Sequence, residues 1–104
     1  MSNVNRRRGK RFERKIAEKF NGMRVGLLGN MDVVTQRFAI ECKSRDKLPR
    51  FLVKAWLQAN NNAGGKLPVL CLHETNKPHE QDMLVMRVDD FLRLMEDLDA
   101  NVRL

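Results

Sequence analysis

At 104 residues the chain holds one modest hydrophobic core and not two, so a single domain spanning 1–104 is expected. Its 42% hydrophobic and 32% charged residues fit a soluble globular protein, and no apolar run approaches the ~18 residues of a membrane span. The basic N-terminus is followed by polar and charged residues rather than a signal peptide's apolar stretch, so a cytoplasmic protein is expected.

The formal charge of +7 is unevenly spread. Residues 1–25 carry nine basic side chains, Arg6, Arg7, Arg8, Lys10, Arg11, Arg14, Lys15, Lys19 and Arg24, against Glu13 and Glu18. The rest of the chain is balanced, so the whole excess lies in one segment, as expected where a single surface meets a polyanion. A solvated basic helix is the alternative. Cys42 and Cys71 sit in apolar runs without C-x-x-C spacing, which reads as two reduced, buried core thiols and argues against a zinc site.

In chain order, residues 6–20 are predicted helical, with Phe12, Ile16, Ala17 and Phe20 at helical spacing and Asn21-Gly22 as the stop. "MRVGLL" reads as a short strand and Gly29-Asn30 as a turn. A hairpin follows: "MDVVT", a tight turn near Gln36, and "FAIECK". After the polar loop "SRDKLPR", Pro49 opens a second helix over 50–63, whose apolar face is Phe51, Leu52, Ala55, Trp56 and Ala59 and whose stop is Gly64-Gly65. "LPVLCLH" has the continuous apolar character of a central strand covered on both faces. A polar loop, the strand "DMLVMRV" and the helix "DDFLRLMEDL" complete the chain, the last with acidic residues at its N-terminus. The order α β β β α β β α is satisfied most simply by one mixed sheet with helices on its faces, an α/β fold.

Within this frame several charges sit where apolar residues belong. On the first helix, at about 100° per residue, Ile16, Phe20 and Ala17 fall at ~40°, ~80° and ~140° from Phe12, and most basic residues lie between ~160° and ~340°. Glu13, at ~100°, stands inside the apolar arc, and Gly9, at ~60°, faces inward where a missing side chain permits close approach. In the hairpin, alternation puts Glu41 and Lys43 on one face; a turn of two or four residues places Asp32 there too, a three-residue turn places it opposite Ile40, and the shared face is expected.

Three carboxylates, Glu13, Asp32 and Glu41, would then converge beside Lys43. Grouped carboxylates repel one another and persist only if protonated, paired or bound to a cation. Oxygen donors of this kind suit a hard ion, Mg²⁺ or Mn²⁺. The alternative is a buried Lys43–Glu41 ion pair with Asp32 at a surface turn, which leaves Glu13 unexplained.

Asp32, eight intervening residues and "ECK" resemble the signature of the PD-(D/E)-x-K nuclease superfamily. "RRGKRFERKIAEKF", with Gly9 four residues before Glu13, resembles the first helix of the archaeal-type Holliday junction resolvases. The likeness covers about residues 6–73; Met31 stands where the superfamily's name has a proline, and "GLLGN" lacks the serine common in resolvases.

The resemblance implies a restriction-endonuclease-like core and a Mg²⁺- or Mn²⁺-dependent DNA endonuclease. Its metal would be held by Asp32, Glu41 and the backbone carbonyl of Cys42, with Glu13 completing the site. Lys43 would orient or help deprotonate the attacking water and offset the charge that builds on the phosphate, and Gln58 would lie near the metal. Arg45 and Lys47, just beyond the catalytic strand, join Arg6, Arg7, Arg8, Lys10, Arg11 and Arg14 as candidate phosphate contacts. A four-way DNA junction as substrate implies a homodimer, since two strands must be cut and one chain supplies one site. Other nucleases of the superfamily, on nicked, flapped or linear DNA, and a DNA-binding module without catalysis are the alternatives. Trp56 reads as core, and His73 and His79 as residues without a chemical role.

Overall fold

The computed structural model describes residues 3–25 and 31–102. The chain forms two compact units, Met1–Asp46 and Lys47–Leu104.

The first unit opens with α1, Asn3–Phe20, a helix with no acidic residue in its first turn and Lys19 in its last. Its end is set by Asn21, in the left-handed region at φ 53°, and by the Gly22 N–H, which donates to the Ala17 carbonyl at 2.8 Å. Three short strands follow, β1 (Met23–Arg24), β2 (Val33–Val34) and β3 (Ala39–Ile40), paired antiparallel in the order β1-β2-β3. The remainder of the expected strand 23–28 beyond Val25, and the expected turn at Gly29-Asn30, lie outside the described residues.

α1 packs on β1 and β2 through Ile16, which is buried, and Val33, which is wholly inaccessible. Phe20 and Phe38 meet edge to face, ring centroids 6.1 Å apart. The hairpin turn spans two residues, Gln36 and Arg37, closed by the Thr35 N–H on the Phe38 carbonyl at 2.9 Å. The Thr35 hydroxyl oxygen holds it further, accepting the N–H groups of Arg37 (3.2 Å) and Phe38 (2.9 Å).

The second unit contains α2 (Arg50–Asn61), β4 (Leu70–Leu72), a 3-10 turn (His79–Gln81), β5 (Met83–Val85) and α3 (Val88–Val102). Pro49 stands immediately before α2, where its carbonyl accepts the Val53 N–H at 3.1 Å. Beyond the helix, Gly64 and Gly65 take the left-handed φ values of 56° and 85° that let the chain reverse. α2 packs on β4. Arg87, just past β5, lies over the Trp56 ring at 5.5 Å and donates to Asn60 Oδ1, tying the end of β5 to the helix. Asp89 and Asp90 occupy the first turn of α3.

The fold is a small mixed α/β arrangement of three helices, but its sheets correct the expectation of one mixed sheet. The described strands pair as two antiparallel sheets, one in each unit. The apolar run 67–73 forms a strand of three residues that pairs locally with β5 across a loop, where a parallel central strand would need a crossover. Nor is that run covered on both faces: Leu67 and Val69 are exposed, as is Cys71. Cys42 is only half-buried, so neither thiol is a core residue of the kind expected. On α2, Phe51 is exposed and no residue is fully buried, so the expected apolar face is only partly covered. Among the described residues no helix is long and apolar enough to cross a membrane.

Candidate functional site

Asp32 is held by three hydrogen bonds. Its carbonyl accepts the Val25 N–H at 3.1 Å on the β1 side, and its N–H donates to the Ile40 carbonyl at 3.1 Å on the β3 side. Its side chain accepts the Cys42 N–H at 2.7 Å. The ladder sets Val33 opposite Ile40, so Asp32 and Val33 together face that one residue. This is the arrangement of a β-bulge, which bends the strand and re-aims a side chain.

One cleft in this unit is lined by Glu13 from α1, Asp32 from the bulge, and Cys42 and Lys43 from the segment leaving β3. Arg6, Arg8 and Lys10 of α1 and Arg45 of the following loop line the same cleft. Gly9 opens onto it as well: a Cβ there would meet no atom within 4 Å, so the helix leaves space for an incoming group.

Each carboxylate already has a partner. Glu13 is paired with Arg24 at 3.1 Å, both side chains being partly buried, and Glu41 with Lys43 at 3.6 Å, both more open to solvent. The Lys43–Glu41 pair is therefore present without being buried. Even so, the acidic groups act together on one point. The Cys42 thiol is pushed up from its ordinary value of 9.0, first by burial and then by the charges of Asp32, Glu13 and Glu41. The donors are oxygens, the type a hard divalent cation takes, but Glu41 does not line this cleft, and among the described residues Glu13, Asp32 and Glu41 do not bring their oxygens within 4.8 Å of one another as a set.

The remaining expected residues are spread more widely. Arg8 pairs with Asp46, which follows Arg45 in the loop. Arg11 and Arg14 line a second, shallower groove with Phe12 and Lys15, while Arg7 is exposed on α1. Lys47 and Gln58 are exposed residues of the second unit, Gln58 on α2.

Two pairings are not evident from the sequence: Arg24 as the cation beside Glu13, and Asp46 as the partner of Arg8. The sequence pattern shows Arg24 only as part of a basic segment; its position two residues past Gly22, opposite Val33, is where a side chain can return toward α1.

No protein-family model, curated protein or solved structure matches this chain.

Proposed function

We propose that the protein is a Mg²⁺- or Mn²⁺-dependent DNA endonuclease that hydrolyses phosphodiester bonds at branched DNA, a Holliday junction resolvase working as a homodimer in the cytoplasm. The observation that carries this reading is the convergence in one cleft of carboxylates from a helix and a bulged strand, a lysine, and a wall of arginines and lysines. An acidic cluster inside a basic surface makes physical sense where a cation and a phosphate meet.

In this reading Asp32, Glu41 and the Cys42 carbonyl would hold the cation, with Glu13 completing the set. When bound, the ion acidifies a water and withdraws charge from the phosphate oxygen. Lys43 would orient the attacking water and offset the negative charge developing at phosphorus. Arg6, Arg8, Lys10 and Arg45 fix the DNA backbone, which places the scissile phosphate without reading sequence. Leu94 and Leu98, exposed on α3 among other exposed apolar side chains, offer apolar surface for a two-fold contact.

A second reading rests on the partners described above. Because Glu13, Glu41 and Asp32 are all satisfied within the chain, the cluster also suits a structural role in a basic module that binds DNA and does not cut it.

A substrate panel separates these readings. With Mg²⁺, a resolvase makes paired nicks near the crossover of a synthetic four-way junction and spares linear duplex. A general nuclease degrades both, and a pure binder shows salt-dependent affinity without cleavage. Light scattering that finds a monomer on junction DNA would remove the resolvase assignment.

A further inference from the structure

The hairpin of the second unit gathers two histidines and an aspartate at its loop end. β4 and β5 pair with Leu72 opposite Met83, so the next positions outward are His73 and Asp82. The segment between them turns twice. Asn76, at φ 71°, sits in a turn where the Lys77 N–H donates to the Glu74 carbonyl at 3.1 Å. The 3-10 turn follows, closed by the Gln81 N–H on the Pro78 carbonyl (3.1 Å) and the Asp82 N–H on the His79 carbonyl (3.0 Å).

This second turn brings His79 back over His73. The imidazoles stack with centroids 4.3 Å apart and 24° between their planes. The Asp82 carboxylate bridges them, Oδ1 at 2.6 Å from His73 Nδ1 and Oδ2 at 2.9 Å from His79 Nδ1. With the His79 side chain 83% exposed, packing does not account for its position. The shared carboxylate does.

We propose that His73, His79 and Asp82 bind a divalent transition-metal ion of the zinc class, with water in the fourth position. Two imidazole nitrogens and one carboxylate oxygen form the mixed donor set that such ions take, whereas Mg²⁺ prefers oxygen alone. Tetrahedral zinc bonds to nitrogen and oxygen set ligand atoms roughly 3.4 Å apart. One ligand atom from each of the three residues already lies within 4.8 Å of the others. Closing the set asks for side-chain movements on the order of 1 Å.

The protons balance without an outside acid or base. Each neutral imidazole that donates from Nδ1 moves its single proton to Nε2, so both Nδ1 lone pairs face the ion. The bound ion ties His79 of the loop over 74–81 to the loop-side ends of β4 and β5. The site is separate in residues and in chemistry from the carboxylate cleft and does not depend on the nuclease reading.

The test is calorimetric titration of ZnCl₂ into the metal-free full chain, with ¹⁵N NMR of the imidazoles. We expect one zinc equivalent at this site, displacement of both Nδ1 resonances, and no competition from millimolar Mg²⁺. His79→Ala, at an exposed position that leaves folding intact, should weaken binding by at least about tenfold, the scale of losing even an outer partner of a ligand. Asp82→Asn should weaken it too, and Asp32→Asn in the cleft should leave it unchanged. Zinc affinity that survives both His73→Ala and His79→Ala, or that is lost in Asp32→Asn, overturns the proposal. So does an absence of binding heat with unmoved imidazole signals.

Discussion

Gly22 joins α1 to the sheet at a point where there is no room for a side chain. A Cβ there would lie 2.8 Å from the Val34 carbonyl oxygen, 3.0 Å from Thr35 Cγ2 and 3.1 Å from Val33 Cγ1. Ordinary contacts between such atoms are near ~3.5–4.0 Å. The oxygen belongs to the backbone of the middle strand, β2, so it cannot rotate aside as a flexible side chain would. Gly22→Ala must therefore lift the end of α1 from β2, and overpacking of this kind costs about 1–3 kcal/mol. The smaller entropy of the unfolded alanine chain returns about 0.4–1 kcal/mol. The difference leaves a net loss of up to about 2.6 kcal/mol, and a loss near the middle of that range, about 1 kcal/mol, lowers Tm by roughly 4–8 °C. Gly9→Ala is the internal control: its Cβ meets nothing within 4 Å, and an alanine inside a helix gains about 0.5–1 kcal/mol. Thermal unfolding followed by circular dichroism and by the Val33 methyl NMR signals measures both, since Trp56 fluorescence reports the second unit. If Gly22→Ala proved as stable as Gly9→Ala, α1 would not seat on β2 as described, and the approach of Glu13 to Asp32 would lose its support.

Asp32 has a structural and a chemical role that two substitutions separate. Asp32→Ala leaves the Cys42 N–H without its acceptor and should cost about 1–3 kcal/mol in urea unfolding, whereas Asp32→Asn keeps an acceptor and should cost less. Both should abolish Mg²⁺-dependent cutting, and an active Asp32→Asn enzyme would contradict the metal role. Alkylation by iodoacetamide, read by mass spectrometry, should modify exposed Cys71 faster than Cys42, and Asp32→Asn should speed Cys42 by removing one of the charges that hold its proton. The sign for stability follows from the same shift. The folded chain keeps the Cys42 proton to higher pH than the unfolded chain, so this contribution is complete below pH 9.0 and is lost as pH rises above it. On duplex DNA, Arg6→Gln and Lys10→Gln should each flatten the dependence of log affinity on log salt by about 0.9 for every phosphate left without its cation. An unchanged slope would remove this end of α1 from the DNA surface.

Much of the first unit was legible because its signals are local. The apolar spacing of Phe12, Ile16 and Phe20 marks α1, Asn21-Gly22 marks its end, and the spacing from Thr35 to Phe38 allows the two-residue turn that fixes register. The bulge at Asp32 was not legible, since alternation is all a strand pattern conveys and a bulge is a departure from it. The second unit was read less well. The apolar run around Leu70 suggested a covered central strand, but periodicity cannot tell how many residues of such a run will pair, or with which neighbour. His73 and His79 looked unrelated because six positions separate them. Only the register that sets His73 opposite Asp82, with a 3-10 turn between, brings all three together.

Whether the carboxylates of the first unit form a catalytic metal site is tested by comparing wild type with Glu41→Ala on a synthetic four-way junction in Mg²⁺. Glu41 is exposed just past β3, and among the described residues its ion-pair partner is Lys43, so the variant should fold and bind DNA as wild type does. Paired nicks by wild type and binding without cleavage by the variant are expected. Equal cutting by both proteins, or binding without cutting by both, would contradict a catalytic metal site.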